Sequence, residues 1–461
     1  MAKRASNEPW VLERRAFLQL GAAGLTSLLV GWPNPAKAET LSRLATGVRA
    51  VTPRNSARNC ILVMLRGGPS HVDMFDLKKG RWTPNELGVE RLSNGIDWPT
   101  GILPRLKTQL NKCSIIRSLQ HSEVVHERAE YFVETGRRLN PGLRNEVPHL
   151  GAVISLESEA QRTAQDVFPS FMLFNYGFSY SNNGFLSATH APFNVFYPAY
   201  GIPNLDPPDG PESFNRRRAA LQFVDGIGNR PTGTASESVS IFQAQAEKMM
   251  KDSATKAAFT ATASDIERYG DNYFGSSLAV ARNVLAANRG TRYIEVDHYG
   301  WDHHNLIYSN DNLYGRSLEL DMAVSSLLED LAATPGSASG KTLLDETLVM
   351  VMGEFGRTVG DLNPSSGRDH YPYVFSGLFA GGGVKGGRII GATDDQGGGV
   401  QDFGWSVNRP IHMPDLVTTM FSVLGIDWTK TIADTPSGRI YRYADPEAVG
   451  DDASYEISPL F

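Results

Sequence analysis

Cys60-Ile61-Leu62-Val63-Met64-Leu65-Arg66-Gly67-Gly68-Pro69 is the stretch on which the fold turns. Six consecutive apolar residues leave no polar face. Such a run suits a strand buried on both sides of a parallel sheet, and it stops at a Gly-Gly-Pro turn. Comparable runs recur at Ser114-Ile115-Ile116, Phe171-Met172-Leu173-Phe174, Tyr293-Ile294-Glu295-Val296, Leu348-Val349-Met350-Val351-Met352 and Val374-Phe375. Between them apolar residues return at helical spacing, as in Leu278, Ala281, Val284 and Leu285, and in Leu320, Val324, Leu327, Leu328 and Leu331. Strands alternating with helices predict an α/β sandwich, a mostly parallel central sheet with helices on both faces. Residues 175–233 break the pattern: they are rich in aromatics, Gly and Pro and read as a loop-rich insertion, either a lid or binding wall or an aromatic-packed cover on the sheet.

The composition sets outer bounds. With 461 residues, 41% of them hydrophobic and 20% charged, the chain has ample core material and is not a disordered protein. Two cysteines close at most one loop, so a disulfide scaffold is excluded; Cys60 and Cys113 precede predicted strands without a CxxC pattern and read as inert buried thiols. A net charge of −6 argues against nucleic acid as a partner. Length alone suggests about three domains of ~150 residues, but α/β folds often run larger as one unit.

The first residues belong to another function. Glu13-Arg14-Arg15-Ala16-Phe17-Leu18, an uncharged run from Gln19 to Pro35 and then Ala36-Lys37-Ala38 form a basic start, an apolar segment and a small-residue cleavage site. The paired arginines narrow this to a twin-arginine signal over 1–38, read by the translocase that exports folded proteins. The apolar run is too short and too broken by Gly24, Gly31, Trp32 and Pro33 for a stable membrane span. The expectation is a periplasmic or extracellular protein, with a linker or surface-hugging arm over 39–59 and one domain over 60–461.

Polar chemistry collects where the predicted strands end, which is where open α/β sheets bind ligands. Seven of the ten histidines (His71, His121, His126, His298, His303, His304, His370) lie in those segments. Histidine and carboxylate without cysteine point to a divalent ion such as Zn, Mn, Fe or Mg. Asp302-x-His304 lets alternate side chains of an extended segment reach one ion. Glu354 emerges from a buried strand, with Gly356 permitting close approach and Arg357 available to clamp an anion, and Asp369-His370 adds another pair. Asp302, His304, Glu354, Asp369 and His370 are therefore the candidate metal ligands, enough for one or two ions, and paired ions suit hydrolysis of phosphoryl or sulfuryl esters. Asp73 and Ser70 are candidates for the chemistry, although an Asp after a strand also caps helices and a Ser after Gly-Gly-Pro also bonds its own turn. His298, His303 and His412 read as supporting or surface groups, and Arg117 and Arg368 as structural ion pairs.

The segments Arg66-Gly67-Gly68-Pro69-Ser70-His71-Val72-Asp73, Gly300-Trp301-Asp302-His303-His304, Gly353-Glu354-Phe355-Gly356-Arg357-Thr358 and Gly367-Arg368-Asp369-His370 resemble the DUF1501 family. So do Gly381-Gly382-Gly383-Val384-Lys385-Gly386-Gly387-Arg388 and the stretch from Asp415 to Asp427. The resemblance implies an alkaline-phosphatase-like or sulfatase-like fold, often exported through the twin-arginine route, and leaves the substrate undefined. In that superfamily a Ser, Thr or Cys opens the helix after the second strand and attacks the substrate. Here the expected helix is 127–136 and His126 stands at its start, so His126 is a ligand or itself attacks, or Ser122, Ser70 or water activated by a metal does so. No C/S-x-P/A-x-R pattern occurs at that place, which disfavours a formylglycine sulfatase. The leading expectation is an exported metal-dependent hydrolase of small-molecule or glycan phosphate or related esters, with Arg357 stabilising transferred charge. A non-catalytic metal- or glycan-binding protein that keeps the fold is the alternative; a phosphomutase-like transferase is disfavoured by export.

Overall fold

The opening apolar run lies inside the central sheet of the protein, a computed structural model that describes residues 51–461 apart from 94, 177–181, 204, 208 and 228–233. The signal read at 1–38 and most of the arm read at 39–59 lie outside the described residues. Pro53–Phe461 form one compact unit.

In chain order the sheet strands are β1 (Asn59–Leu65), β2 (Cys113–Leu119), β3 (Phe171–Phe174), β4 (Phe193–Val195), β5 (Tyr293–His298), β6 (Thr347–Met352), β7 (Phe375–Ala380) and β8 (Arg388–Ile390). They line up as β8-β2-β7-β6-β1-β5-β3-β4. All run the same way except β7, which is antiparallel to both β2 and β6.

The two faces bury different residues of the same strand, because successive side chains point to opposite sides. Ile61, Val63 and Leu65 join Leu278, Val284, Leu320 and Leu327 in one core. Cys60, Leu62 and Met64 join Phe132, Val153, Leu416 and Met420 in the other. The first core is covered by helices Tyr273–Ala286 and Leu313–Ala333, the second by His126–Thr135, Leu150–Ser158 and Met413–Val423. Cys60 and Cys113 fall in opposite cores, so both stay free thiols and cannot pair.

The stretch expected to be loop-rich is more ordered than its composition suggests. It contains the edge strand β4 and a helix over Gly210–Ile227. That helix shows little apolar periodicity; its support includes charge pairing such as Arg216 with Glu212 one turn earlier, which a search for apolar spacing does not detect.

His121, one of the strand-end histidines, is a core residue. Its ring meets Phe132 edge-on at 5.0 Å and Phe375 at 6.3 Å, and its Nδ1 accepts the Glu123 backbone N–H at 3.0 Å. Burial pushes its pKa down to about 3. The unfolded chain therefore binds a proton that the folded chain refuses, and the stability this residue supports at neutral pH is lost as pH falls below 6.5. Urea unfolding at a series of pH values should show wild type losing stability relative to His121→Gln by about 1.4 kcal/mol per pH unit in that window. Parallel curves would rule this out.

Candidate metal centre

Four segments converge at the end of the sheet where the parallel strands exit. β1 leads into Arg66-Gly67, β5 into Asp302 and His304, β6 into Glu354, and β2 into the helix that begins with His126. His370 arrives differently. It pairs with Arg357 in a two-residue hairpin just before β7, and because β7 runs backwards its entrance lies at the same end as the other strands' exits. Close approach of the β1 and β5 loops requires Gly67: its φ is +110°, and a Cβ there would sit 2.5 Å from the Asp302 backbone nitrogen.

Three imidazoles surround one carboxylate oxygen. From Asp302 Oδ1, His304 Nε2 lies at 3.0 Å, His126 Nε2 at 3.2 Å and His370 Nε2 at 3.3 Å. His304 Nε2 and His370 Nε2 face each other at 3.0 Å. Each ring's other nitrogen has an acceptor of its own. His126 Nδ1 meets Glu354 Oε1 at 2.6 Å, His304 Nδ1 meets Asp369 Oδ1 at 2.8 Å, and His370 Nδ1 meets the Val124 carbonyl at 2.6 Å. An acceptor behind Nδ1 fixes the tautomer with its proton there, which turns the Nε2 lone pair inward. Three Nε2 atoms thus converge on Asp302 Oδ1, which also accepts from Arg357 Nη2, and this gathering of nitrogen and carboxylate ligand atoms suits a bound cation.

The electrostatics agree. Burial opposes charge on His126, yet its hydrogen bonds to Asp302 and Glu354 raise its pKa to about 9, so a metal taken up here would displace the proton from Nε2. Partial burial would raise the Asp302 carboxyl, but His126, His370 and Arg357 hold it far below the usual carboxylate range. Glu354 is fully buried, accepts the Gly67 N–H at 2.9 Å through Oε1, and leaves Oε2 without a hydrogen-bond partner among the described residues. The donor set fits a borderline divalent ion: nitrogen and carboxylate ligands backed by carboxylates that orient the rings. His126, Glu130 and Glu354 form a second group whose ligand atoms lie within 4.8 Å of one another.

Behind the cluster, Arg66 is buried among four carboxylates. Its guanidinium lies 2.7 Å from Asp297, 2.9 Å from Glu130, 2.7 Å from Glu134 and 3.1 Å from Glu295. Burial pushes the Glu130 carboxyl up to about 7 against the pull of Arg66, with Glu354 and Glu134 adding to the rise.

The candidate residues sort into two sets. The structure gathers His126, Asp302, His304, Glu354, Asp369, His370 and Arg357: Glu354 and Asp369 each meet the Nδ1 of an imidazole, and His126 shares Asp302 with His304 and His370. Arg357 is not free to clamp an anion. Its Nε donates to the Gly68 carbonyl at 2.8 Å, its Nη1 to the Arg368 carbonyl at 3.1 Å, and its Nη2 to the Gly67 carbonyl and Asp302, so it ties three loops together and orients Asp302.

Ser70 and Asp73 lie apart from this cluster. Both are fully buried. Ser70 Oγ donates to Asp73 at 2.6 Å, and Asp73 also takes Arg368 Nε at 2.8 Å and the Tyr308 hydroxyl at 2.7 Å. With its donors and acceptors satisfied inside the protein, this pair anchors Arg368 and the loop leading to Asp369 and His370. The sequence reading passed over Glu130, Arg66 and Asn363, whose amide donates to Asp369 at 3.2 Å. Glu130 was detectable: it lies four residues after His126, on the same helical face.

The chain belongs to the DUF1501 family, described as proteins of unknown function, whose family model matches residues 57–452. Among curated proteins none matches this sequence. Of solved structures, a sulfatase (PsFucS1) from Pseudoalteromonas sp. aligns over 86% of this chain and 72% of its own, with 11% identity and a TM-score of 0.36. A protein of the alkaline phosphatase superfamily from Vibrio parahaemolyticus aligns over 82% and 69%, with 10% identity and a TM-score of 0.39. The phosphonate monoester hydrolase of Silicibacter pomeroyi aligns over 81% and 74%, with 12% identity and a TM-score of 0.35. Likeness this distant says nothing about activity.

Proposed function

We propose that this protein is a metal-dependent hydrolase of phosphate or related esters, exported under its Arg14-Arg15 signal. The ion is one divalent metal held by His126, His304, His370 and Asp302. The carrying observation is the inward convergence of three Nε2 atoms on Asp302 Oδ1, each ring locked from behind. A divalent ion there supplies Lewis acidity toward an ester oxygen and toward water. Glu354 and Asp369 hold the rings of His126 and His304 in register, and Arg357 holds Asp302. Glu130, whose Oε2 meets Arg66, ties the His126 helix to the buried carboxylate cluster behind the metal. Ser70 is committed to Asp73, which favours water over that hydroxyl as the attacking group.

The test is elemental analysis of the purified protein, followed by hydrolysis of p-nitrophenyl phosphate, bis-p-nitrophenyl phosphate and p-nitrophenyl sulfate before and after chelation and metal return. Stoichiometric metal and chelator-sensitive hydrolysis are expected. A folded protein that takes up no divalent ion sinks the reading. Stoichiometric metal without hydrolysis of any ester would transfer support to a non-catalytic metal-binding protein.

A further inference from the structure

A second feature at the same sheet end lies outside the metal cluster. A cavity of about 910 Å³ opens at the exit of β5, lined by Asp297, His298 and Tyr299, the last only three residues before Asp302. Its lining also includes Tyr197, Tyr200 and Tyr273, which are more than half exposed and packed on one another, with ring centroids 5.0 to 6.2 Å apart. Large aromatic surfaces left open beside a cavity are ready-made contact area for a ligand with an apolar face.

The polar lining specifies what that ligand carries. Asp297 and His298 are almost fully buried, and Asp297 Oδ1 and His298 Nδ1, both sealed from solvent, have no hydrogen-bond partner among the described residues. The His298 ring is fixed: it stacks on Phe274 at 4.1 Å and its Nε2 meets Glu319 at 2.9 Å, which leaves Nδ1 as an acceptor. Arg316 is paired with the same Glu319 at 2.7 Å, so this cation is already matched. The remaining charge in the lining, Asp271, is negative. This lining disfavours an anion. The carboxylates of Asp271 and Glu319, open to the cavity beside tyrosine faces, suit a molecule bearing many hydroxyls and an apolar flank.

We propose that this cavity binds a neutral oligosaccharide, its rings against Tyr197, Tyr200 and Tyr273 and its hydroxyls on Asp271 and Glu319. It is thus the uncharged part of a glycan ester whose anionic group goes to the metal cluster. The ester half of this statement rests on the hydrolase reading; saccharide binding does not. Arg66 links the two places, since its guanidinium meets Asp297 of the cavity and Glu130 of the cluster.

The test is saturation-transfer NMR and calorimetry on the full-length protein with neutral tetrasaccharides of glucose, galactose, mannose, xylose and N-acetylglucosamine. At least one should bind, and Tyr200→Ala/Tyr273→Ala should weaken it by roughly 10-fold or more while leaving metal content unchanged. His304→Ala should lose metal and keep saccharide binding. If none of the five binds, or the double tyrosine variant binds as wild type does, the proposal is overturned. Saccharide binding without any ester hydrolysis would overturn the hydrolase reading and leave the cavity assignment standing.

Discussion

Metal affinity should fall on the order of 10³-fold when His304 or Asp302 is replaced by alanine, and only roughly 10- to 100-fold in Glu354→Gln or Asp369→Asn. The contrast follows from which atoms face inward. His304 Nε2 and Asp302 Oδ1 are 3.0 Å apart at the centre of the cluster, so removing either deletes a ligand. Glu354 and Asp369 reach the same place through His126 and His304, and their amides can still accept a hydrogen bond from Nδ1. Competition with a chromogenic chelator measures all four variants. If Glu354→Gln matches His304→Ala, Glu354 is itself a ligand, and the group formed by His126, Glu130 and Glu354 becomes the primary ion site.

The largest loss of stability should come from Arg66→Ala. One guanidinium, almost wholly buried, is the cation that holds Glu130, Glu134, Glu295 and Asp297 together. Its removal leaves several carboxylates facing one another out of water, and breaking a buried pair from one side costs about 3–5 kcal/mol. Neutralising a partner should relieve part of that. The double variant Arg66→Ala/Glu130→Gln should recover on the order of 1–2 kcal/mol relative to Arg66→Ala alone, a coupling expected for groups in direct contact. Arg66→Lys should rescue poorly, since a single ammonium cannot span the four acceptors that the planar fork reaches. Denaturant unfolding with circular dichroism checks each. A change of less than about 1 kcal/mol in Arg66→Ala would mean the carboxylates shed their charge without it.

Some of this is legible in the sequence alone. The unbroken apolar run at 60–65 meant a strand buried on both faces, because a polar residue in either core would have lost its water without replacement. The placement of His126, Asp302, His304 and His370 after apolar runs put them at one end of the sheet, because strand exits are where backbone turns leave side chains free to converge. The helix over Gly210–Ile227 was not legible, since its side-chain pattern has charges where apolar spacing was sought.

Roles within the site were less accessible. Sequence listed acids and imidazoles as equals, and only packing separated Asp302, with its oxygen among three nitrogens, from Glu354 and Asp369, each behind a ring. Ser70 and Asp73 looked reactive in a row of letters; fully buried and bonded to Arg368 and Tyr308, they anchor a loop. Local sequence therefore determined which segments became strands and which residues gathered at their ends, since apolar periodicity and turn chemistry act over neighbouring residues. The tertiary structure alone decided who faces whom, because the reversed β7, the Gly67 approach and the Arg66 carboxylate cluster depend on contacts between residues tens to hundreds of positions apart.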